Sequence, residues 1–169
     1  MISGLQIRDA RSTDLDDLAS IRYADQRAIH RDRLRDAALG HLRFLVAEVG
    51  RQVVGFGLLV FSRPATWPDA GREDHLPGIL DLYVAEVHRG RGVGTAIIGQ
   101  MEALAVDQGC DCLWLSVDPI GNACAHALYA RLGYRALQAE PYCDRWRFVD
   151  SEERVHEGKE WLIDMAKTL

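Results

Sequence analysis

Apolar positions recur along the chain with two different periods, which predict an alternation of strands and helices. Short alternating or continuous apolar runs indicate strands, whereas apolar positions about 3.6 residues apart indicate amphipathic helices. Strands are predicted over residues 5–9, 44–49, 53–61, 79–84, 113–117, 142–149 and 155–167. Helices are predicted after a cap at Ser12 or Thr13, over residues 24–39, from Val93 toward Gly109, and over residues 123–132.

Residues that favour turns separate these segments. Residues 50–52 join two β-rich runs tightly and therefore predict a hairpin. Gly109 and Gly133 follow predicted helices at the position where a left-handed residue commonly ends a helix. Residues 62–76 contain proline, glycine and acidic residues, which predict a loop.

The order of these elements predicts a single α/β domain over residues 1–169. A chain of 169 residues with 48% hydrophobic content can bury a core of that size. The helix between strands 79–84 and 113–117 makes them parallel neighbours, because parallel strands need a crossover connection. The hairpins predict antiparallel pairs, so the sheet is expected to be mixed and mostly antiparallel, with helices flanking it.

Composition excludes several classes of function. A net charge of −5, from 20 basic and 25 acidic residues, argues against a nucleic-acid-binding protein. No apolar run is long enough to span a membrane and the N-terminus lacks a signal-peptide layout, so we expect no membrane partner and a cytoplasmic location. The spacing of Cys110, Cys112, Cys124 and Cys143 does not match a zinc or redox site, which predicts no metal and a reducing environment.

The segment from Ile79 to Thr95 carries the most informative pattern. It predicts a strand, a turn with three alternating glycines, and a helix that begins near Val93. Such an arrangement directs the backbone N–H groups of a helix N-terminus toward an anion such as a phosphate. Arg89 and Arg91 flank the turn with positive charge. The alternative interpretation is an ordinary tight turn with solvated arginines.

Two common phosphate-binding motifs do not fit this turn. Gly94 is followed by Thr95 rather than by the lysine of a P-loop, and the same threonine stands where the dinucleotide fingerprint needs its last glycine. The pattern Arg-x-x-Gly-x-Gly does fit, at Arg89, Gly92 and Gly94, after a strand that ends Leu-Tyr-Val. This pattern resembles the acyl-CoA pyrophosphate loop of the GNAT superfamily of N-acetyltransferases.

A second segment, residues 118–134, strengthens the resemblance. In the GNAT family an asparagine opens a helix that continues Ala-x-x-Leu-Tyr and ends before Gly-Phe/Tyr. The matching positions are Asn122, Ala125, Leu128, Tyr129, Gly133 and Tyr134. The two segments occur in the order of the family, and the resemblance covers residues 41–134 well and the rest of the chain by its layout.

The resemblance implies acetyl-CoA as the donor and a sheet that splays between its fourth and fifth strands. The pantetheine arm would lie between these strands against the backbone of Leu82, Tyr83 and Val84, where the Val84 amide would polarise the acyl carbonyl. Asn122 is implied as a further pantetheine contact, in addition to its predicted role as a helix cap. The pyrophosphate would bind the amides of Gly90, Arg91, Gly92, Val93, Gly94 and Thr95, with added charge from Arg89 and Arg91.

The resemblance also implies the chemistry of the transfer. Tyr129 is implied as the general acid that protonates the departing CoA thiolate. The alternative is a core tyrosine on an apolar helix stripe. The acceptor is implied to be a primary amine of a small molecule or a peptide, and relatives are often homodimers.

The sequence leaves the general base unassigned. The two strand positions that the family often fills with glutamate are Gly78 and Ser116, and neither residue can act as a carboxylate base. Asp81 is close, but strand alternation places it on the opposite face from Leu82 and Val84. Proton removal through ordered water, or by a residue on a flanking loop, is therefore expected. The missing glutamates keep open a second hypothesis, a catalytically weak acyl-CoA-binding module or sensor.

No motif marks the acceptor site. Its walls are expected from residues 23–40, from the loop of residues 62–76, and from the closing hairpin near residues 150–156. The arginine and aspartate pattern of residues 24–39 indicates a solvated face, with one wall of a substrate cleft as the alternative. The acidic latter half of the 62–76 loop favours a cationic acceptor such as a polyamine or an aminoglycoside.

Overall fold

The computed structural model describes residues 2–64, 67 and 76–169, and within them the chain forms eight strands and four α-helices. The strands are β1 Gln6–Asp9, β2 Leu42–Val49, β3 Gln52–Val60, β4 Gly78–Val84, β5 Cys112–Val117, β6 Arg135–Ala136, β7 Tyr142–Val149 and β8 Val155–Thr168. The helices are α1 Leu15–Ile21, α2 Arg27–Ala38, α3 Val93–Asp107 and α4 Ala123–Arg131. Most of the loop predicted over residues 62–76, including its acidic half, lies outside the described residues.

The strands form a mixed sheet in the order β1-β2-β3-β4-β5-β8-β6, with β7 paired to β8. In this part of the chain β4 and β5 are parallel, and the other pairings are antiparallel. The β4–β5 register contains two pairs, Gly78 with Trp114 and Ile79 with Leu115, although β4 continues to Val84. The strands therefore separate after Ile79, which confirms the predicted mixed sheet with its splay at this point. We call the space between them the β4–β5 gap.

Two hydrophobic clusters fill the two sides of the sheet. On one side, α3 and α4 cover a cluster that includes Ile97, Met101 and Leu115. On the other side, Leu18 of α1 packs with Phe44 and Phe56 of the sheet. Leu80 and Tyr83 of β4 pack on the α1–α2 side, whereas Leu82 and Val84 pack on the α3–α4 side. Side chains of β4 therefore pack against both hydrophobic clusters, one on each side of the sheet.

The beginning of the first helix differs from the sequence prediction. Neither Ser12 nor Thr13 caps it, because both belong to a short 3-10 turn that starts after Arg11. The Asp14 carboxylate accepts the Arg11 backbone N–H at 2.7 Å and forms an ion pair with Arg8 at 2.8 Å. The Asp14 carboxylate therefore stabilises the 3-10 turn before α1, and at the N-cap of α1 its side chain forms no capping hydrogen bond with the described residues.

The hairpin of β7 and β8 reaches from the sheet to α2. The backbone N–H of Ser151 at its tip donates to Asp32 at 3.0 Å, and Arg154 donates to the carbonyl of Asp25 at 2.9 Å. The hairpin and α2 are therefore neighbours on the side of the sheet that carries Leu80 and Tyr83. In the described part of the chain, no helix is long and apolar enough to cross a membrane.

Candidate active site

The turn before α3 exposes the backbone N–H groups of the helix. Gly90 and Gly92 have φ angles of +70° and +86°, which an L side chain rarely adopts. The N–H of Ala96 makes the first helical bond, to the carbonyl of Gly92, so the preceding N–H groups have no acceptor within the helix. A shallow depression of about 360 Å³ lies over them, lined by Gly90, Arg91, Gly92, Thr95 and Ala96. The N–H groups that have no acceptor within the helix, together with the positive end of α3, are suited to an anion.

Gly94 brings the two sequence segments together. A Cβ atom on this residue would lie 3.4 Å from Leu128 of α4 and 3.9 Å from Val84 of β4. The start of α3 is therefore packed against the helix that carries Tyr129 and against the end of β4. This close approach places the glycine turn before α3 beside the β4–β5 gap.

Arg89 and Arg91 point in different directions. Arg91 lines the depression, whereas the Arg89 side chain folds back and donates from Nε to the carbonyl of Val84 at 2.9 Å. The Arg89 guanidinium also lies 5.3 Å from the centre of the Tyr83 ring. In this structure Arg89 clamps the end of β4, and its predicted contact with a pyrophosphate stays a prediction.

A bulge interrupts β4 beside the gap. Asp81 has a φ of +48°, and the register with β3 shifts so that two residues of β4, Asp81 and Leu82, lie opposite one residue of β3. The Asp81 carboxylate forms ion pairs with Arg22, at 2.9 Å, and with Arg33. These arginines lie on the α1–α2 side, so the prediction that Asp81 faces away from Leu82 and Val84 is confirmed.

The predicted solvated face of residues 24–39 is partly wrong. The Arg33 side chain is 14% exposed, and Asp36 is buried and accepts the indole N–H of Trp67 at 3.0 Å. His30 is fully buried, and this burial lowers its pKa to about 4, so its imidazole is neutral at pH 7. The helix α2 therefore turns one face toward Asp81 and the gap, which agrees with the alternative of a cleft wall. Sequence reasoning missed Arg22 and Arg33 because their partner is far away in the chain.

Tyr129 lies in α4, buried to 7% exposure, with its ring centre 6.0 Å from that of Tyr134. Burial raises the pKa of Tyr129 to about 12, and the negative charge of Asp81 contributes to the increase. The phenol therefore keeps its proton at neutral pH.

Asn122 occupies the N-cap position of α4, but its side chain forms no capping hydrogen bond with the described residues. Its backbone φ of −128° and ψ of 50° are non-helical, as expected for the residue before a helix. The predicted capping hydrogen bond is therefore wrong in this structure. The amide group remains a candidate for contact with a ligand in the gap.

A hydrogen-bonded group on β5, β7 and β8 was not found from the sequence. The hydroxyl of Ser116 donates to Asp164 Oδ1 at 2.6 Å, and the hydroxyl of Tyr142 donates to the same oxygen at 2.7 Å. Ser116 and Asp164 lie opposite each other in the β5–β8 pairing. Gly78, the other position expected to hold a glutamate, pairs with Trp114 before the gap opens.

Together, the open helix N-terminus and the two splayed parallel strands form the arrangement that the resemblance to acyl-CoA-dependent transferases implies. Residues 7–134 match the model of the Acetyltransferase (GNAT) family. The chain belongs to this family and is an acyltransferase of the N-acetyltransferase type. The resemblance drawn from Arg89–Thr95 and Asn122–Tyr134 is thereby confirmed.

Individual relatives extend the comparison over nearly the whole chain. Thialysine N-epsilon-acetyltransferase of Bos taurus is 32% identical over 174 residues, which cover 92% of this chain and 98% of the relative. The crystal structure of Ribosomal-protein-alanine N-acetyltransferase from Brucella melitensis superposes with a TM-score of 0.69 at 24% identity, covering 97% of this chain and 99% of that one. The structure of yncA from Salmonella typhimurium, solved with its cofactor acetyl-CoA, gives a TM-score of 0.68 at 19% identity, with 99% and 95% coverage. Both structures share the fold of this chain.

Proposed function

We propose that this enzyme transfers the acetyl group of acetyl-CoA directly to a primary amine. The observation that carries the proposal is the junction of three parts: the open N-terminus of α3, the gap between β4 and β5, and the protonated Tyr129. Gly94 packs the first part against the other two. A donor that binds its pyrophosphate at α3 would therefore extend along β4 toward Tyr129.

The donor site is built mainly from backbone. The amides from Gly90 to Thr95 would bind the pyrophosphate, with the charge of Arg91 beside them. The pantetheine arm would follow the backbone of Leu82, Tyr83 and Val84 and would contact Asn122. Among the residues that the structure describes, this backbone has no strand partner on the side of the gap. The Val84 amide is the donor that we assign to the acyl carbonyl, where negative charge develops during attack.

The chemistry needs two proton transfers. The neutral amine attacks the thioester carbonyl carbon, a C–N bond forms, and the C–S bond breaks with its electron pair on sulfur. The nitrogen, which is cationic after the attack, releases one proton to solvent and becomes the amide nitrogen. Tyr129 gives its proton to that sulfur, and the burial that raises its pKa keeps the proton available. The phenolate then regains a proton from solvent.

The acceptor is proposed as a small-molecule amine or a peptide amine. Relatives named for thialysine and for the alanine of a ribosomal protein make these two kinds of amine the first candidates. Action in the cytoplasm is also part of the proposal, supported by four cysteines that form no disulfide. Assembly as a homodimer stays a prediction.

The test is incubation of the purified enzyme with acetyl-CoA and a panel of thialysine, spermidine and an alanine-initiated peptide. Thiol release above the amine-free control, together with acetylated product in the mass spectrum, is expected for at least one amine. The second candidate function is a binding module that keeps only the donor site. This alternative is favoured by Ser116 and Gly78, which occupy the two positions where the family often has glutamate. Tight binding of acetyl-CoA without any product across the panel would support that module and reject the enzyme.

A further inference from the structure

Ser116 stands where β4 and β5 separate. It follows Leu115, which forms the last β4–β5 pair with Ile79. Its neighbours Leu115 and Val117 are buried in the cluster beneath α3 and α4, so alternation turns Ser116 to the other side of the sheet. That is the side of Leu80 and Tyr83, and Ser116 is exposed there. Its hydroxyl is therefore accessible at the mouth of the gap.

Asp164 supports this hydroxyl from the next strand. Its Oδ1 accepts hydrogen bonds from Ser116 at 2.6 Å and from Tyr142 at 2.7 Å. Distances this short are typical of hydroxyl groups that donate to an ionised carboxylate. A hydroxyl can donate its own proton and accept another at the same time, so the Ser116 oxygen has the groups needed to pass a proton to Asp164.

We propose that Ser116 accepts a proton from the acceptor ammonium and passes its own proton to Asp164, an assignment that rests on the proposed acetyl transfer. One N–H bond of the ammonium breaks and one O–H bond forms on Ser116, while the original Ser116 proton moves to Asp164 Oδ1. The serine remains a neutral hydroxyl, the aspartate becomes a carboxylic acid, and the amine gains the lone pair that attacks the thioester. Asp164 acts through Ser116 and is a positioning residue.

The arrangement supplies the carboxylate that β5 lacks. Position 116 holds a serine, and the acid stands on the neighbouring strand, one hydrogen bond away. Asp81 is a poorer candidate, because both its oxygens are in ion pairs with Arg22 and Arg33.

Other charged groups share this side of the sheet. In the described part of the chain they are Tyr142 and Asp144 on β7, Glu160 on β8, Asp118 after β5, and Asp81 with Arg22 and Arg33 across the gap. Burial raises the pKa of Glu160, and its cross-strand neighbour Asp144 adds to the increase. Because these groups surround Asp164, the test compares the variants with one another at each pH rather than using one profile alone.

The test measures the pH dependence of kcat/KM for the variants Asp164→Asn, Ser116→Ala and Ser116→Thr. The substrate is the amine that the unmodified enzyme acetylates, chosen from thialysine, spermidine and the alanine-initiated peptide. In Asp164→Asn and Ser116→Ala, kcat/KM at pH 7 is expected to be about 100-fold lower than in the unmodified enzyme. The loss should shrink to within about fivefold near pH 10, because a much larger fraction of the amine is then unprotonated in solution. Ser116→Thr keeps a hydroxyl and should retain at least about a third of the activity.

Controls separate this inference from the proposed function and from simple misfolding. Glu157→Gln removes one carboxylate from the exposed part of β8 and should leave kcat/KM unchanged within about twofold at every pH. The Kd of acetyl-CoA should be unchanged in all the variants. Full activity of Asp164→Asn, or a loss of activity that is equally large at pH 7 and pH 10, would overturn the proposed proton relay. If Asp164→Asn does not fold, the comparison of Ser116→Ala with Ser116→Thr decides the question, because Ser116 is exposed. An unmodified enzyme that acetylates none of the amines would instead overturn the proposed function.

Discussion

The Nε of Arg89 donates a hydrogen bond of 2.9 Å to the carbonyl of Val84, so the first residue of the Arg-x-x-Gly-x-Gly pattern holds the end of β4. Its guanidinium is stacked near the Tyr83 ring, 5.3 Å from the ring centre. Arg91, two residues later, is the arginine that lines the depression at the start of α3. The two arginines therefore have separable roles.

The first prediction concerns these two arginines. Arg91→Ala should weaken acetyl-CoA binding about fivefold, because one charge near the pyrophosphate is lost, and should leave kcat unchanged. The weakening should fade at high salt, since Arg91 is exposed and its charge is screened. Arg89→Ala should lower kcat more than it lowers the affinity for acetyl-CoA, because the end of β4 loses the hydrogen bond from Arg89 to the Val84 carbonyl. Calorimetric titration with acetyl-CoA at two salt concentrations, combined with steady-state kinetics, checks both. A larger loss of affinity in Arg89→Ala than in Arg91→Ala would show that the clamp opens when the donor binds.

Local patterns explain why much of this site was predictable. The elements follow from apolar periodicity, and the α3 turn and Tyr129 lie within two short segments whose residues are neighbours in the chain. The contacts of Asp81 with Arg22 and Arg33, and of Ser116 with Asp164, join residues that are far apart in sequence. They depend on a bulge in β4 and on the register of β5 with β8, and neither leaves a local signature. For the same reason, the pattern of residues 24–39 predicts a solvated face, although one face of α2 is turned inward.

The second prediction concerns Tyr129. Tyr129→Phe should lower kcat about 100-fold and change the Kd of acetyl-CoA by less than about twofold, because the ring stays and only the proton donor is lost. The raised pKa of the phenol, about 12, lies above its ordinary value, so the group stays protonated and active as pH rises through 10. The kcat profile of the unmodified enzyme should therefore show no alkaline decline near pH 10. Such a decline, absent from Tyr129→Phe, would contradict the buried, protonated phenol.

The third prediction uses two glycines of the same helix. Gly92→Ala should lower the free energy of unfolding by about 1 kcal/mol, because φ at this position is +86°. Gly99 lies exposed within α3, with nothing within 4 Å of an added Cβ atom, so Gly99→Ala should raise stability by about 0.5–1 kcal/mol. Urea unfolding measures both changes. If the two substitutions changed the free energy of unfolding equally, the backbone conformation at position 92 would tolerate an alanine side chain without strain.

The fourth prediction concerns buried His30. Its pKa of about 4 in the folded state is below the ordinary value of 6.5, so the unfolded state binds the proton first as pH falls. Its contribution to stability is complete above about pH 6.5 and is lost progressively toward pH 4, by about 3 kcal/mol in total. His30→Leu removes this titration, so its free energy of unfolding should depend less steeply on pH between 4.5 and 7 than that of the unmodified protein. Urea unfolding measures the free energy of unfolding of both proteins at each pH. If the two pH profiles are parallel, the pKa of His30 is not lowered in the folded state.

Acetyl transfer itself is tested most directly by its stoichiometry. With acetyl-CoA and the accepted amine, quantitative mass spectrometry and a thiol assay should find one acetylated amine for each CoA thiol released. Omission of the amine should abolish nearly all thiol release, and Tyr129→Phe should slow both products equally. Thiol release without acetylated amine, or acetyl-CoA binding with neither product, would contradict direct transfer at the β4–β5 gap.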